Sequence, residues 1–86
     1  MMNEHTIRLK ITETFTQVVD EAGSSLREEL RDDTVLLESG LDSLGFAILV
    51  ARLEEDLGWD PFTLSDEAVY PSTFGTFVAF YANNQP

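Results

Sequence analysis

Apolar residues recur at intervals of three and four in three stretches of the chain, which is the spacing of helices with one buried face. The first predicts a helix over about 4–22 that stops at Gly23, and its apolar residues are Ile7, Ile11, Phe15, Val18, Val19 and Ala22. The second predicts a helix over about 43–57 that stops at Gly58, and its apolar residues are Phe46, Leu49, Val50, Leu53 and Leu57. The third predicts a last helix over about 72–82, begun by Ser72 or Thr73, and its apolar residues are Phe74, Phe77, Val78 and Tyr81.

The first two helices are joined by a long charged segment, residues 23–42, which is predicted to be a loop. Leu26 and Leu30 are expected to form a short helical turn within it. Three further apolar residues are expected to hold the loop against the core: Val35, Leu36 and Leu37.

The segment after Gly58 is predicted to contain one more, shorter helix. Asp60-Pro61 interrupts the chain, because a residue before proline is disfavoured in the helical region. A short helix follows over about 65–70, ended by Pro71, and the chain is expected to fray over 83–86. No useful stretch alternates with period two, so the prediction is an all-α single domain spanning 1–86: a bundle of three main helices plus one short helix.

The net charge of the chain limits the classes of partner that it is expected to bind. Sixteen acidic residues face five basic ones, for a net charge of -11. Phosphate backbones and anionic membrane surfaces repel such a protein, which argues against nucleic acid and membrane as partners. Basic surfaces of other proteins are the expected partners, although acidity can also serve solubility alone.

Cysteine is absent, and this excludes disulfides and thiolate metal sites. The first residues contain no apolar run typical of a signal peptide, and no segment is long enough to span a bilayer. A cytoplasmic monomer is expected.

One serine stands out, at the start of the second predicted helix in Gly40-Leu41-Asp42-Ser43-Leu44. Either Asp42 or Ser43 is suited to cap that helix. A catalytic serine needs a base, yet the only histidine is His5, and the elbow motif of hydrolases is absent. The acidic clusters around Asp32 and Glu54 lack the spacing of a calcium-binding loop. Ser43 is therefore predicted to be a residue on which other enzymes act.

The stretch from Asp33 to Leu44, followed by the helix from Phe46 to Leu57, resembles the acyl carrier protein family. The order of helices, the long loop and the acidity agree with that family over nearly the whole chain. The resemblance implies that Ser43 carries 4'-phosphopantetheine, transferred from coenzyme A by a phosphopantetheinyl transferase. The protein would then catalyse nothing itself, and would hold acyl groups as thioesters in fatty-acid, lipid or specialised acyl metabolism. An acyl-loading ligase or synthase and an acyltransferase would be its other partners.

The same resemblance implies a recognition surface on the second helix, made of Asp42, Leu44, Ile48, Ala51, Glu54 and Glu55. Ordinary packing of Leu44 and a merely solvated acidic face remain alternatives. Gly45 and Ile48 stand where fatty-acid carriers often have acidic residues, so a more apolar surface and a specialised pathway are expected. Gly45 is also expected to weaken the first helical turn.

Two other functions fit the chain. One is an aminoacyl or peptidyl carrier loaded by an adenylating ligase, although Gly-Leu-Asp-Ser favours the acyl type. The other is an acidic helical adaptor that is never modified.

Overall fold

A computed structural model describes residues 2–23, 29–64 and 71–86. Its helices are α1 (Glu4–Glu21), α2 (Ser43–Leu57), α3 (Pro61–Leu64) and α4 (Phe74–Asn83), with a 3₁₀ turn at Leu36–Glu38. Within the described ranges the only β-type pairing is an isolated bridge between Val35 and Thr73. The predicted all-α bundle is confirmed.

α1 forms one side of the bundle and packs against both α2 and α4. Its first turn is capped by Asn3, whose side chain accepts a hydrogen bond from the Thr6 N–H at 2.8 Å. It ends before Gly23, which has a φ of 77°. The predicted apolar face is buried with one exception: Ala22 is exposed, because it is the C-cap residue beyond the last full turn.

α2 ends where its sequence predicts. Gly58 takes the left-handed conformation, with a φ of 98°, and its N–H donates to the Glu54 carbonyl at 2.9 Å. Of the predicted apolar face, Phe46, Leu49 and Leu53 are buried. Val50 and Leu57 are partly buried against the same core.

The segment after α2 differs from its prediction. Pro61 was predicted only to interrupt the chain, but it is the first residue of α3. Proline is tolerated at this position because the first N–H groups of a helix have no hydrogen-bond acceptor within the helix. The Asp60 side chain accepts the Phe62 N–H at 2.8 Å and so caps this turn. The short helix predicted over about 65–70 lies outside the described residues, as does Leu26.

α4 supplies much of the aromatic core. The Thr73 hydroxyl accepts the Thr76 N–H at 3.3 Å, so the helix begins at Phe74 rather than at Ser72. All four predicted core residues are buried, and Phe80 is buried as well, in edge contact with Phe62 at 4.9 Å between ring centroids.

Hydrogen bonds connect the end of the described chain to its beginning and to α4, although fraying was predicted for residues 83–86. The Asn84 side chain donates to the Phe80 carbonyl at 2.9 Å. Gln85 accepts the Met2 N–H and donates to the Met2 carbonyl, both at 2.9 Å. Hydrophobic spacing carries no information about such amide pairs.

Candidate functional site

The segment leading into α2 is held to the start of α4 by its backbone. The Leu36 N–H donates to the Ser72 carbonyl at 3.0 Å, and the Phe74 N–H donates to the Thr34 carbonyl at 2.8 Å. Leu36 is buried, as predicted, but Val35 and Leu37 are 40% and 49% exposed. The expectation that all three apolar residues pack inward is wrong. Val35 lies before the 3₁₀ turn, in the bridge to Thr73, and within the turn successive side chains point in different directions, so that Leu36 is buried and Leu37 is not.

Three successive residues, 39–41, set the path of the backbone just before α2. Ser39 is buried, and its hydroxyl donates to the Leu36 carbonyl at 2.7 Å. Gly40 follows with a φ of 107°, a conformation that disfavours other residues. Leu41 is then buried in the core at 3% exposure. The backbone just before Asp42 is thus anchored on both sides of the Gly40 turn.

Asp42 is the N-cap of α2. Its carboxylate accepts the Gly45 N–H at 2.7 Å, and its carbonyl accepts the Phe46 N–H at 2.9 Å. Ser43 follows as the first residue of α2 and is exposed. The N–H groups of Ser43 and Leu44 donate no hydrogen bond to any described residue, so both are available to a negatively charged group at this helix end.

No imidazole from the described part of the chain lies beside Ser43. His5 lies in the first turn of α1, whereas the neighbours of Ser43 lie beside the last turn, at Val18 and Ala22. The two ends of α1 are about 25 Å apart along the helix. The described residues also contain no group of three or more His, Asp or Glu placed to hold a metal ion. Ser43 is accessible to solvent and to other proteins.

The predicted recognition residues share the outer side of α2. Leu44 is 69% exposed and Ile48 is 38% exposed. Ala51, Glu54 and Glu55 are exposed as well. Leu44, Ile48, Ala51 and Glu55 follow one another at helical spacing on one face, which we call the α2 outer face. The exposure of Leu44 is incompatible with ordinary core packing.

Gly45 has a different role from the one its sequence suggests. It is buried, and a Cβ at this position would lie 2.9 Å from Leu41 Cδ1 and 3.1 Å from Asp42 Oδ1. The absence of a side chain therefore lets Leu41 pack beneath the first turn and lets Asp42 cap it. The expected weakening of the first helical turn stays a prediction.

Sequence reasoning missed a groove between the end of α1 and the outer side of α2. Its volume is about 400 Å³, and its walls include Val18, Ala22, Leu44 and Ile48. Arg52 and Glu21 lie in the same groove and form a two-fold hydrogen-bonded pair, at 2.5 and 2.6 Å. The hydrogen bond from Arg52 lowers the pKa of Glu21. Spacing within one helix could not reveal this groove, because its walls come from two helices.

A second, smaller pocket of about 130 Å³ lies beside the 3₁₀ turn. Its lining is almost entirely apolar and includes Leu36, Phe46 and Pro71, with Ser72 at its edge. Ser43 itself lines neither cavity, although Asp42, Leu44 and Gly45 line the larger one.

Comparison with known proteins identifies one family. The family model described as phosphopantetheine attachment site matches residues 10–72, which include Ser43 and the whole of α2. No curated protein and no solved structure matches the chain. None of the described helices is long and apolar enough to cross a membrane.

Proposed function

This chain belongs to the phosphopantetheine attachment site family, and we propose that it is an acyl carrier protein modified on Ser43. The observation that carries the proposal is an exposed serine at the first position of α2, directly after the capping Asp42 and within the matched residues. The group that such domains bear is 4'-phosphopantetheine, covalently attached. Its thiol holds acyl groups as thioesters.

Attachment requires Ser43 to act as a nucleophile toward coenzyme A. The Ser43 oxygen forms a bond to the phosphorus that bears the pantetheine, and the bond from that phosphorus to 3',5'-ADP breaks. The serine proton leaves to a base of the transferase, since the neighbouring Asp42 carboxylate is engaged by the Gly45 N–H. The phosphodiester so formed lies where the N–H groups of Ser43 and Leu44 are free to donate, so the residues present fit the group.

The role of the protein after modification follows from exposure and charge. A tether on an accessible residue presents its end to partner enzymes at high effective concentration. The net charge of -11, together with exposed Glu54 and Glu55, favours partners with basic surfaces. We assign no catalytic step to the chain itself.

The α2 outer face supports a more specific proposal. Leu44 and Ile48 expose apolar surface close to Ser43, and Ala51 extends it. Exposed apolar patches of this kind are typical of protein interfaces. We therefore propose that the loading ligase or synthase, and an acyltransferase, bind partly through apolar contacts, and that the carrier serves a specialised acyl pathway.

The attachment site is tested by incubating the protein with coenzyme A and a broad-specificity phosphopantetheinyl transferase. We expect the intact mass to increase by one phosphopantetheine and one titratable thiol to appear. Because the chain has no cysteine, that thiol reports the arm alone. Ser43→Ala should abolish both signals, whereas Ser72→Ala, a change at another exposed serine, should leave them unchanged.

An unmodified adaptor would behave differently: the wild type would gain neither mass nor thiol. Modification that persists in Ser43→Ala would place the arm on another residue. The mass of the protein purified from its natural source then separates an acyl group from an aminoacyl group on the thiol.

A further inference from the structure

We propose that the groove between α1 and α2 is a docking site for a large apolar side chain, such as phenylalanine, on a basic surface of the loading enzyme. That the partner is a loading enzyme rests on the proposed function, whereas the chemistry of the groove does not. The groove joins the end of α1 to the α2 outer face, because Val18 and Ala22 line it from one helix and Leu44 and Ile48 line it from the other.

The size and the walls of the groove suit such a side chain. Its volume of about 400 Å³ accommodates a phenylalanine, whereas the pocket beside the 3₁₀ turn has only about 130 Å³. Leu44 is 69% exposed and Ile48 is 38% exposed, so their apolar surface remains in water until a partner covers it. Burial of this apolar surface is a source of binding free energy.

The groove is already formed in the chain alone. Two of its lining residues, Val18 and Gly45, are buried where α1 packs against α2. Two hydrogen bonds join Arg52 of α2 to Glu21 at the end of α1, and both of these residues also line the groove. Because these contacts connect the two helices that form the walls, a partner side chain can bind without first ordering the groove.

The charges around the groove favour a basic partner. Of its described lining residues, Glu21 and Asp42 are acidic and Arg52 alone is basic. Arg52 is engaged by Glu21, and Glu55 adds an exposed carboxylate about one turn beyond it. Asp42 accepts one hydrogen bond from the Gly45 N–H, and a carboxylate can accept several. Lysine or arginine residues beside the apolar side chain of the partner therefore meet negative charge.

Ser43 lies close to the groove but outside it. Its two neighbours in sequence, Asp42 and Leu44, are lining residues, whereas Ser43 is not. Helical spacing places Ser43 on the opposite side of α2 from Ile48 and Arg52. A partner side chain can therefore occupy the groove while Ser43, and the group attached to it, stay accessible to the active site of that partner.

A second copy of the chain is a poor occupant of the groove. Each copy has a net charge of -11, so two copies repel each other. Sedimentation velocity of the chain alone should show a monomer. A dimer that the substitution Ala22→Leu dissociates would overturn the proposal, because the groove would then bind another copy.

The chemistry of the groove is tested with a synthetic peptide, Lys-Lys-Phe-Lys-Lys with blocked ends, and the unmodified full chain labelled with ¹³C in its methyl groups. We expect the peptide to shift the methyl signals of Val18, Leu44 and Ile48 in a saturable manner. The same peptide with alanine in place of phenylalanine keeps its charges and should bind about tenfold more weakly, the effect of losing one buried apolar side chain. Equal binding of the two peptides, shifts confined to Leu36 and Leu37 in the second pocket, or no shifts would overturn the proposal.

A pair of variants gives an independent measurement. Ala22→Leu fills the groove from an exposed position and should weaken binding of the phenylalanine peptide by about tenfold. Thr16→Leu adds the same side chain at an exposed position on the opposite side of α1 and should leave binding unchanged. Equal effects of the two variants would overturn the assignment of the groove. Amide spectra show whether the variants fold like the wild type, and the peptide pair tests the wild type without any substitution.

The partner is tested by loading kinetics of the modified chain with the cognate loading enzyme. Ala22→Leu should raise KM by about tenfold and leave kcat unchanged, because the groove holds the partner but does not contain Ser43. Thr16→Leu should change neither. An unchanged KM, or a fall in kcat alone, would overturn the docking site.

Intact mass separates this proposal from the proposed function. Modification of the wild type together with an unchanged KM in Ala22→Leu overturns the docking site and leaves the carrier function standing. A lack of modification overturns the carrier function and the loading enzyme as partner, and peptide binding to the unmodified chain then decides the chemistry of the groove by itself.

Discussion

Asp42 combines two properties at the start of α2: it caps the helix, and it places a negative charge next to Ser43. The cap is its hydrogen bond from the Gly45 N–H at 2.7 Å. The hydrogen bond and the charge both belong to the Asp42 side chain. Substitutions that remove both of them, or the charge alone, distinguish their effects on stability.

Asp42→Ala should lower the free energy of unfolding by about 1 kcal/mol, because the cap is lost. Asp42→Asn retains a side-chain oxygen and should keep most of that stability. Urea denaturation of the two variants measures the difference. Equal destabilisation by alanine and asparagine would mean that the charge, and not the hydrogen bond, stabilises the helix start.

At Gly45 a tertiary contact opposes the ordinary preference of a helix for alanine over glycine. An exposed glycine in a helix gains up to about 1 kcal/mol when replaced by alanine. At position 45 the added Cβ would lie 2.9 Å from Leu41 Cδ1, in a buried contact, and overpacking typically costs about 1–3 kcal/mol.

Gly45→Ala is therefore expected to give no gain in stability, and Leu41 should move. Thermal unfolding measures the first effect, and methyl chemical shifts of Leu41 measure the second. Ala47→Gly, at an exposed position of the same helix, should show the ordinary propensity loss of about 1 kcal/mol. A clear stabilisation by Gly45→Ala would show that Leu41 yields without cost.

α2 has two apolar sides, one buried in the core and one exposed to solvent. One side, with Phe46, Leu49 and Leu53, is buried in the core. The other, the α2 outer face, exposes Leu44 and Ile48. A helix in a small bundle needs only one buried side to form the core. The exposed apolar residues on the other side are therefore available to bind another protein.

Ile48→Glu should reduce the kcat/KM of the cognate loading enzyme by about tenfold, the effect of losing one buried aliphatic contact. The measurement is the initial rate of loading at sub-saturating carrier. Thr76→Glu adds the same charge at an exposed position of α4 and should leave the rate unchanged. If both variants slow loading equally, net charge explains the effect and the outer face does not. Unchanged kinetics in Ile48→Glu would refute the apolar interface.

Across the whole molecule, acidic residues far outnumber basic ones. Arg8 pairs with Asp32 at 2.7 Å, Lys10 lies 4.0 Å from Asp56, and Arg52 pairs with Glu21. These pairs are exposed and contribute little individually. The net charge of -11 remains as a repulsive term in the folded state.

Sodium chloride should therefore raise the melting temperature, because screening weakens repulsion among many acids more than it weakens the few exposed ion pairs. In a domain of this size, about 1 kcal/mol corresponds to roughly 4–8 °C. The double variant Glu54→Gln, Glu55→Gln should melt higher at low salt and respond less to added salt. A melting temperature independent of salt would contradict this account.

The sequence by itself determined the three longer helices, α1, α2 and α4, and the position of Ser43 at the start of α2. The apolar residues of α1, α2 and α4 recur at helical spacing, and Gly23 and Gly58 mark two helix ends, so local chemistry was sufficient. The motif from Gly40 to Leu44 predicted an accessible serine at the start of a helix, and the all-α bundle is confirmed. Whether Ser43 is the attachment residue stays a prediction.

Only the tertiary structure decided the features that depend on which residues meet across the chain. Periodicity could not show that Leu41 packs against Gly45, that Gln85 pairs with Met2, or that Val35 and Leu37 face outward. The groove between α1 and α2 arises in the same way, since Val18 and Ala22 line it from α1 and Ile48 and Arg52 line it from α2. The spacing of apolar residues along a helix predicts which face of that helix is buried. A cavity between two helices depends in addition on how the two helices are placed relative to each other.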